Sequence, residues 1–170
     1  MQTHLVDLDY VRFQLNHGWI VRSSLNIEVA KVSLVRGDAI CELIFLGAGS
    51  TNQEDNLEIL YQRVLKDAQR RGRHFDDLGE DFDFELISEL DSEGEVQYQH
   101  VFVRLHGDVL VLATMTGYNQ KDENEVRHML ETMESGTERV LTEAFSILPA
   151  PKTISDWNRF GELLFFDGFA

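Results

Sequence analysis

The stretch Val101–Thr116, VFVRLHGDVLVLATMT, holds two near-continuous apolar runs, Val101–Leu105 and Val109–Met115, joined at Gly107-Asp108. A glycine at the first central position of a two-residue connection suits a type II′ hairpin. Only Arg104 and Thr114 interrupt the runs, which predicts two strands covered on both faces in the middle of a sheet.

Around this hairpin the pattern predicts further strands and two helices. Val6–Leu15 alternates loosely up to a turn at Asn16-His17-Gly18. Leu25, Ile27 and Val29 alternate with Asn26 and Glu28, and the apolar phase then flips to Val32 and Leu34. One strand cannot show both sets to one face, so a bulge or break is expected near Ala30–Lys31. Arg36-Gly37-Asp38 turns the chain into Ala39–Leu46, a strand interrupted only by Glu42.

Leu57, Leu60, Tyr61, Val64, Leu65 and Ala68 fall on one face of a helix. Thr51 and Glu54 have capping-box spacing, Arg70, Arg71 and Arg73 suit the negative end, and Gly72 can supply a left-handed stop. Phe82, Phe84, Leu86 and Leu90 alternate with Asp83, Glu85 and Glu89, as in a strand with one wet face. After a turn at Asp91–Gly94, Val96 and Tyr98 begin the strand that runs into the hairpin.

The second helix opens near Asn119 or Lys121. Its stripe of Val126, Met129, Leu130, Met133, Thr137, Val140, Leu141, Ala144 and Phe145 keeps phase through Gly136. One long helix is expected, ended by Pro149 and Pro151. The pattern is that of an α+β fold, a mainly antiparallel sheet of about six strands flanked by two long helices. Residues 1–148 form a single domain. Residues 149–170 are an aromatic-rich extension, with Trp157, Phe160, Phe165 and Phe166, that packs on the domain or on a partner.

Composition narrows the classes. A chain of 170 residues with 43% hydrophobic positions and 11 Phe has ample core for one domain. Its one cysteine, Cys41, excludes an internal disulfide and a multi-cysteine zinc site, and its apolar surroundings predict burial. The first residues, with His4, Asp7, Asp9, Arg12 and His17, lack a signal-peptide pattern, and no apolar run approaches the ~20 residues of a membrane span. A cytoplasmic, non-membrane protein is expected. A net charge of −15 argues against nucleic acid as partner.

The order of elements, with Gly18-Trp19 and Arg22-Ser23-Ser24-Leu25-Asn26-Ile27 near the start, resembles the PsbP/DcrB-like group of domains. Residues 5–147 share the layout: a Trp, a short Ser-Leu-Asn strand, a strand–helix unit, a hairpin such as Val101–Thr116 and a closing helix. The resemblance implies an antiparallel sandwich flanked by helices and a non-enzymatic binding role. One branch of such domains comprises small acidic cytoplasmic chaperones or adaptors for secreted bacterial effectors.

The candidate chemistry is acidic. Residues 76–95 hold ten carboxylates, and no Lys or Arg occurs between His74 and Val103. Such a run is a solvated face or the landing site of a basic partner, which would offset its self-repulsion. Asp76, Asp77, Glu80, Asp81, Asp83 and Glu85 are the candidate partner-binding carboxylates, with Trp157, Phe160, Phe165 and Phe166 as apolar contacts. Glu89-x-Asp91-x-Glu93-Gly94 is not a calcium loop, because the twelfth position is His100 and its flanks are strands. Gly47-Ala48-Gly49-Ser50-Thr51-Asn52 lacks the third glycine of a dinucleotide fingerprint.

Glu125 and His128 have a metal-pair spacing without the second pair a di-metal site needs, and both are expected to face water. His106, at the hairpin turn, is expected to be exposed. No metal, cofactor or catalytic residue is assigned, and no GxSxG motif is present.

The function expected is a non-catalytic acidic protein-binding module: a cytoplasmic adaptor or chaperone whose protein partner offers a basic or apolar segment, with homodimerisation open. One alternative is an immunity protein neutralising a basic toxin. Another is a small-molecule-binding domain or enzyme using a sheet–helix cleft, where Arg104 would be the residue to inspect.

Overall fold

The computed structural model describes residues 3–7, 11–25, 30–47, 53–88, 97–107 and 109–135. Five strands come first: β1 (Thr3–Asp7), β2 (Val11–Asn16), β3 (Ile20–Leu25), β4 (Ala30–Arg36) and β5 (Ala39–Gly47). Helix α1 (Gln53–Arg71) follows, then β6 (His74–Leu78), β7 (Asp81–Ser88), β8 (Gln97–His106) and β9 (Val109–Thr116). Helix α2 (Gln120–Glu131) and the short β10 (Glu134–Ser135) come last.

The apolar hairpin lies at the middle, as its pattern requires. Strands run β3-β4-β5-β9-β8-β7-β6 in one antiparallel seven-stranded sheet, with β9 at its centre. His106 pairs with Val109 across the two-residue connection, and Gly107 takes φ +59°. From Val109 to Met115 every residue of β9 is buried. Period-two alternation disappears in such a strand because neither face meets water.

The two faces have separate cores. Ile44, Leu46, Val101, Val103, Leu110 and Leu112 cluster with Phe82, Phe84 and Leu86 and with Tyr61, Val64 and Ala68 of α1. On the other face Leu43, Phe45, Phe102, Val111, Ala113 and Met115 meet Val126, Met129 and Leu130 of α2. Val11, Phe13 and Leu15 of β2 join this second core while Arg12 and Gln14 point out, the alternation of a half-covered strand.

The architecture is the α+β sandwich expected, with four differences. The main sheet has seven strands, and β1, β2 and β10 form a separate three-stranded sheet. Val6–Leu15 is not one strand: Thr3 pairs with Asn16 and Asp7 with Arg12 across a reversal. The phase flip near Ala30–Lys31 is also a reversal, since Leu25 pairs with Ala30 in antiparallel β3 and β4. Two arms of a hairpin, read in line, look like one strand with a bulge.

The second helix is short. Its hydrogen bonding ends at Thr132, whose Oγ1 donates to the His128 carbonyl at 2.8 Å. Met133 then turns into the core, and Glu134 and Ser135 pair with Arg12 and Val11. Strand pairing supplies the backbone partners that further helix would, at positions where Thr and Ser are poor helix formers. The stripe from Thr137 to Phe145 lies outside the described residues, as do the loop 89–96 and the extension 149–170.

Gly72 serves close packing and not a left-handed stop. Its N–H donates to the Ala68 carbonyl at 2.6 Å, and a Cβ there would meet that oxygen at 2.6 Å and Phe84 Cβ at 3.2 Å. Cys41 is buried, and burial pushes its thiol pKa up.

Candidate functional site

The acidic stretch divides between surface and interior. Asp76, Asp77 and Glu80 are exposed along β6 and its turn, and Leu78 beside them is 52% exposed. Asp77 Oδ1 accepts from Gly79 N–H at 3.0 Å, which fixes the turn between β6 and β7. Asp81 is half-buried and accepts from the Leu105 N–H at 3.1 Å. Glu85 is half-buried. Trp157, Phe160, Phe165 and Phe166 lie outside the described residues.

Asp83 is a correction, because only 1% of it is exposed and it cannot meet a partner. The strand read as having one wet face lies between both cores at this point. Asp83 pairs in register with Phe102, on the face covered by α2. Arg104 Nη1 donates to Asp83 Oδ1 at 2.6 Å and to the carbonyls of Phe82 and Val103. Arg127, from α2, reaches the other carboxylate oxygen and also donates to Glu123 Oε1 at 3.0 Å. His100 completes the group, its Nε2 3.8 Å from Asp83 Oδ2 and its Nδ1 3.4 Å from Glu123 Oε1.

Burial alone would push the Asp83 carboxyl up. The neighbouring His100 and the guanidiniums of Arg104 and Arg127 outweigh it and hold the group at about 2. Arg104, Arg127 and His100 are gathered round one ring: both guanidiniums lie within 6 Å of the Phe102 centroid, and the His100 ring stacks on it at 4.2 Å. This network rivets α2 to the sheet, with His100 Nε2 and Arg104 Nη2 left buried without a hydrogen-bond partner among the described residues. Arg104 is therefore paired with a carboxylate in the interior, with 2% of it exposed.

A second network fixes the N-terminal end of α2 from another side. Arg36 Nη2 donates to Asp122 Oδ1 at 2.5 Å, Arg36 Nη1 pairs with Glu125, and the guanidinium stacks 4.5 Å from the Trp19 ring. Trp19 Nε1 donates to Glu125 Oε2 at 3.1 Å. Asn119 and Asp122 form a capping box at the same helix end. Glu125 thus faces Arg36 and not water, unlike exposed His128. Burial would raise the Glu125 carboxyl, but its hydrogen bonds from Trp19, Asn16 and Arg36 hold it low. His106 is half-buried and not exposed, and burial depresses its imidazole pKa.

A groove of about 710 Å³ opens at the end of the sheet where β5 and β8 begin and β9 finishes. Tyr98, Tyr118, Glu85, Asp38, Ile40 and the backbone of Gly117 are among its walls. Tyr98 and Ile40 are 45% and 40% exposed. Tyr118 packs edge-on to His100 at 6.3 Å, and burial and the charges of Glu85 and Glu123 push its hydroxyl up to about 12. No helix residue lines this groove, whereas another of about 470 Å³ lies between β1, β2 and the end of α2, with Arg12, Gln14 and His128 among its walls.

Sequence reasoning missed Tyr98 and Tyr118 as groove walls, and Arg127, Glu123 and His100 as partners of Asp83. One signal was available for the last group. An arginine inside an apolar run demands a buried anion, and Asp83 is the carboxylate in phase beside it. Among the described residues, no group of three or more His, Cys, Asp or Glu could hold a metal ion, and no helix is long and apolar enough to cross a membrane.

Among solved structures, a protein from Bacteroides thetaiotaomicron VPI-5482 is similar in fold, with a TM-score of 0.53 and 12% identity over 76% of this chain. The present chain spans 46% of that protein's length. A point mutant of Mog1 has a TM-score of 0.49 and 11% identity, over 83% of this chain and 100% of its own. The cyanobacterial PsbP of Synechocystis sp. PCC 6803 has a TM-score of 0.43 and 13% identity, over 79% and 91%. The layout that a PsbP-like domain implies, an antiparallel sheet flanked by helices, is the layout present. No family model matches the sequence, and no curated protein is significantly similar to it.

Proposed function

We propose that the chain is a non-catalytic, cytoplasmic protein-binding module, an adaptor or chaperone whose partner presents a basic segment. The observation that carries this reading is the composition of β6. This strand ends the seven-stranded sheet, and Asp76, Asp77 and Glu80 stand exposed along it and its turn. Asp76 has His74 Nε2 3.4 Å away, an imidazole that carries charge only when protonated, and Arg104 and Arg127 are engaged by Asp83 and Glu123. An edge strand offers backbone N–H and C=O groups to an extended peptide, and its carboxylates favour a basic one. Among the described residues β6 pairs on one side only, with β7.

The same edge would serve an immunity protein that covers a basic toxin surface, and the partner's identity decides between the two. The test is affinity capture from native lysate with the unaltered chain and with Asp76→Lys/Asp77→Lys/Glu80→Lys, at low and high ionic strength. All three positions are exposed, and because Asp77→Lys gives up the bond from Gly79 N–H, an unchanged circular-dichroism spectrum of the variant verifies its fold. The partner should be retained by the unaltered chain at low ionic strength and lost with the variant or with added salt. Equal retention by both chains would remove the acidic edge from the account.

A further inference from the structure

We infer that the groove at the end of the sheet receives an arginine side chain of the partner's basic segment, held between the Tyr98 ring and the carboxylate of Glu85, with Asp38 adding negative charge at the far wall. The inference rests on the protein-binding reading above and adds a site and a residue type to it. Four observations support it.

The walls combine two aromatic rings with two carboxylates, and neither Glu85 nor Asp38 forms an ion pair with a described residue. A planar guanidinium stacks on an aromatic face and bonds carboxylates in its own plane, so it uses both kinds of wall at once. The Tyr98 ring already attracts such a group: Arg73, which does not line the groove, lies 6.0 Å from its centroid.

The groove is also held in shape before anything binds. Gly117 takes φ +64°, and a Cβ there would lie 2.1 Å from the Asp38 carbonyl oxygen, so the start of β5 and the end of β9 are pinned together. Arg36, two residues before Asp38, is anchored on Asp122 and Glu125 of α2. Finally, the groove continues the acidic edge, since Glu85 pairs in register with His74, the first residue of β6. A peptide laid along β6 reaches the groove at that end.

The probe is the blocked tripeptide acetyl-Gly-Arg-Gly-amide, compared with its citrulline analogue, which has nearly the same shape and no charge. Amide NMR titration of the full chain should show saturable shifts at Tyr98, Gly117 and Tyr118 with the arginine peptide and none with citrulline. Glu85→Gln and Tyr98→Leu should each weaken binding roughly tenfold. Tyr98 is exposed and Glu85 half-buried, and unchanged amide spectra of the free variants verify their folding.

Equal shifts with citrulline, or equal affinity in both variants, would overturn the inference. The triple Lys variant of β6 separates it from the broader reading, because it alters the edge and leaves the groove walls intact. If that variant still captures the partner while Glu85→Gln loses the peptide, the edge-strand reading fails and the groove assignment stands. If the variant loses the partner but the arginine peptide binds nowhere in the groove, the outcome is the reverse.

Discussion

Replacing Asp83 by asparagine keeps the outline of the side chain and removes its charge from the interior. The carboxyl titrates at about 2 in the folded chain against an ordinary 3.8. That difference corresponds to about 2–3 kcal/mol of stability at neutral pH. A second route gives a similar size. Without Asp83, Arg104 keeps only the carbonyls of Phe82 and Val103, at 2% exposure. Breaking a buried pair by removing one partner costs ~3–5 kcal/mol.

Both figures describe one interaction and are not summed, so a loss of about 3 kcal/mol is expected from Asp83→Asn. Against a domain stability of about 5–15 kcal/mol this is a large fraction. Urea unfolding followed by circular dichroism should show a lower midpoint with an unchanged slope. The double replacement Asp83→Leu with Arg104→Met should cost less than Asp83→Asn alone, because no charge is then left without its partner.

The pH dependence has a definite sign. The folded pKa lies below the unfolded one, so the contribution is complete above about pH 5 and fades as pH falls through about 4 towards 2. The gap between the native chain and Asp83→Asn should close over that window. A loss under about 1 kcal/mol at neutral pH, or a double variant as damaged as the single one, would refute the reasoning.

Further outcomes are expected elsewhere. Gly117→Ala should cost about 3 kcal/mol or more, because positive φ and a backbone oxygen at 2.1 Å act together. Gly79→Ala, at φ +87° with nothing within 4 Å, should cost only about 1 kcal/mol. Thermal unfolding of the two variants separates these cases, and equal losses would discount the Asp38 contact. Arg36→Met should cost about 2 kcal/mol in urea unfolding, since Asp122 and Glu125 lose a shared cation that is largely shielded from water. Asn119→Ala removes the cap on Asp122 N–H and should cost about 1 kcal/mol, whereas Asn119→Ser should be nearly neutral.

What the sequence made legible follows from where each signal resides. The hairpin of β8 and β9 was visible because burial on both faces writes itself into consecutive residues. Helix α1 was visible because its stripe is local and amphipathic. The end of α2 was not, since apolar phase describes which face could be buried and says nothing of where a helix yields. Its stop depends on Arg12 and Val11, more than a hundred residues earlier, offering strand partners to Glu134 and Ser135.

The site divides in the same way. The exposed carboxylates of β6 were legible as charge, and their neighbour Asp83 looked identical in the string of letters. What distinguishes it is Arg127, brought in from a different helix and separated from it by 44 positions. The groove is less legible still, since Tyr98, Tyr118, Glu85 and Asp38 share no local pattern and meet only through the register of β5, β7, β8 and β9.

The placement of β9 has a consequence for how the chain is made. Ile40 must wait for Thr116 and Gly47 for Val109 before β5 acquires its second neighbour. A nascent chain therefore emerges with a β3-β4-β5 ribbon whose inner border is greasy and unzipped through the synthesis of α1 and three further strands. Such a border is a template for pairing with other copies. A burden of negative charge suits a protein that must keep those half-made ribbons apart until its keystone strand arrives.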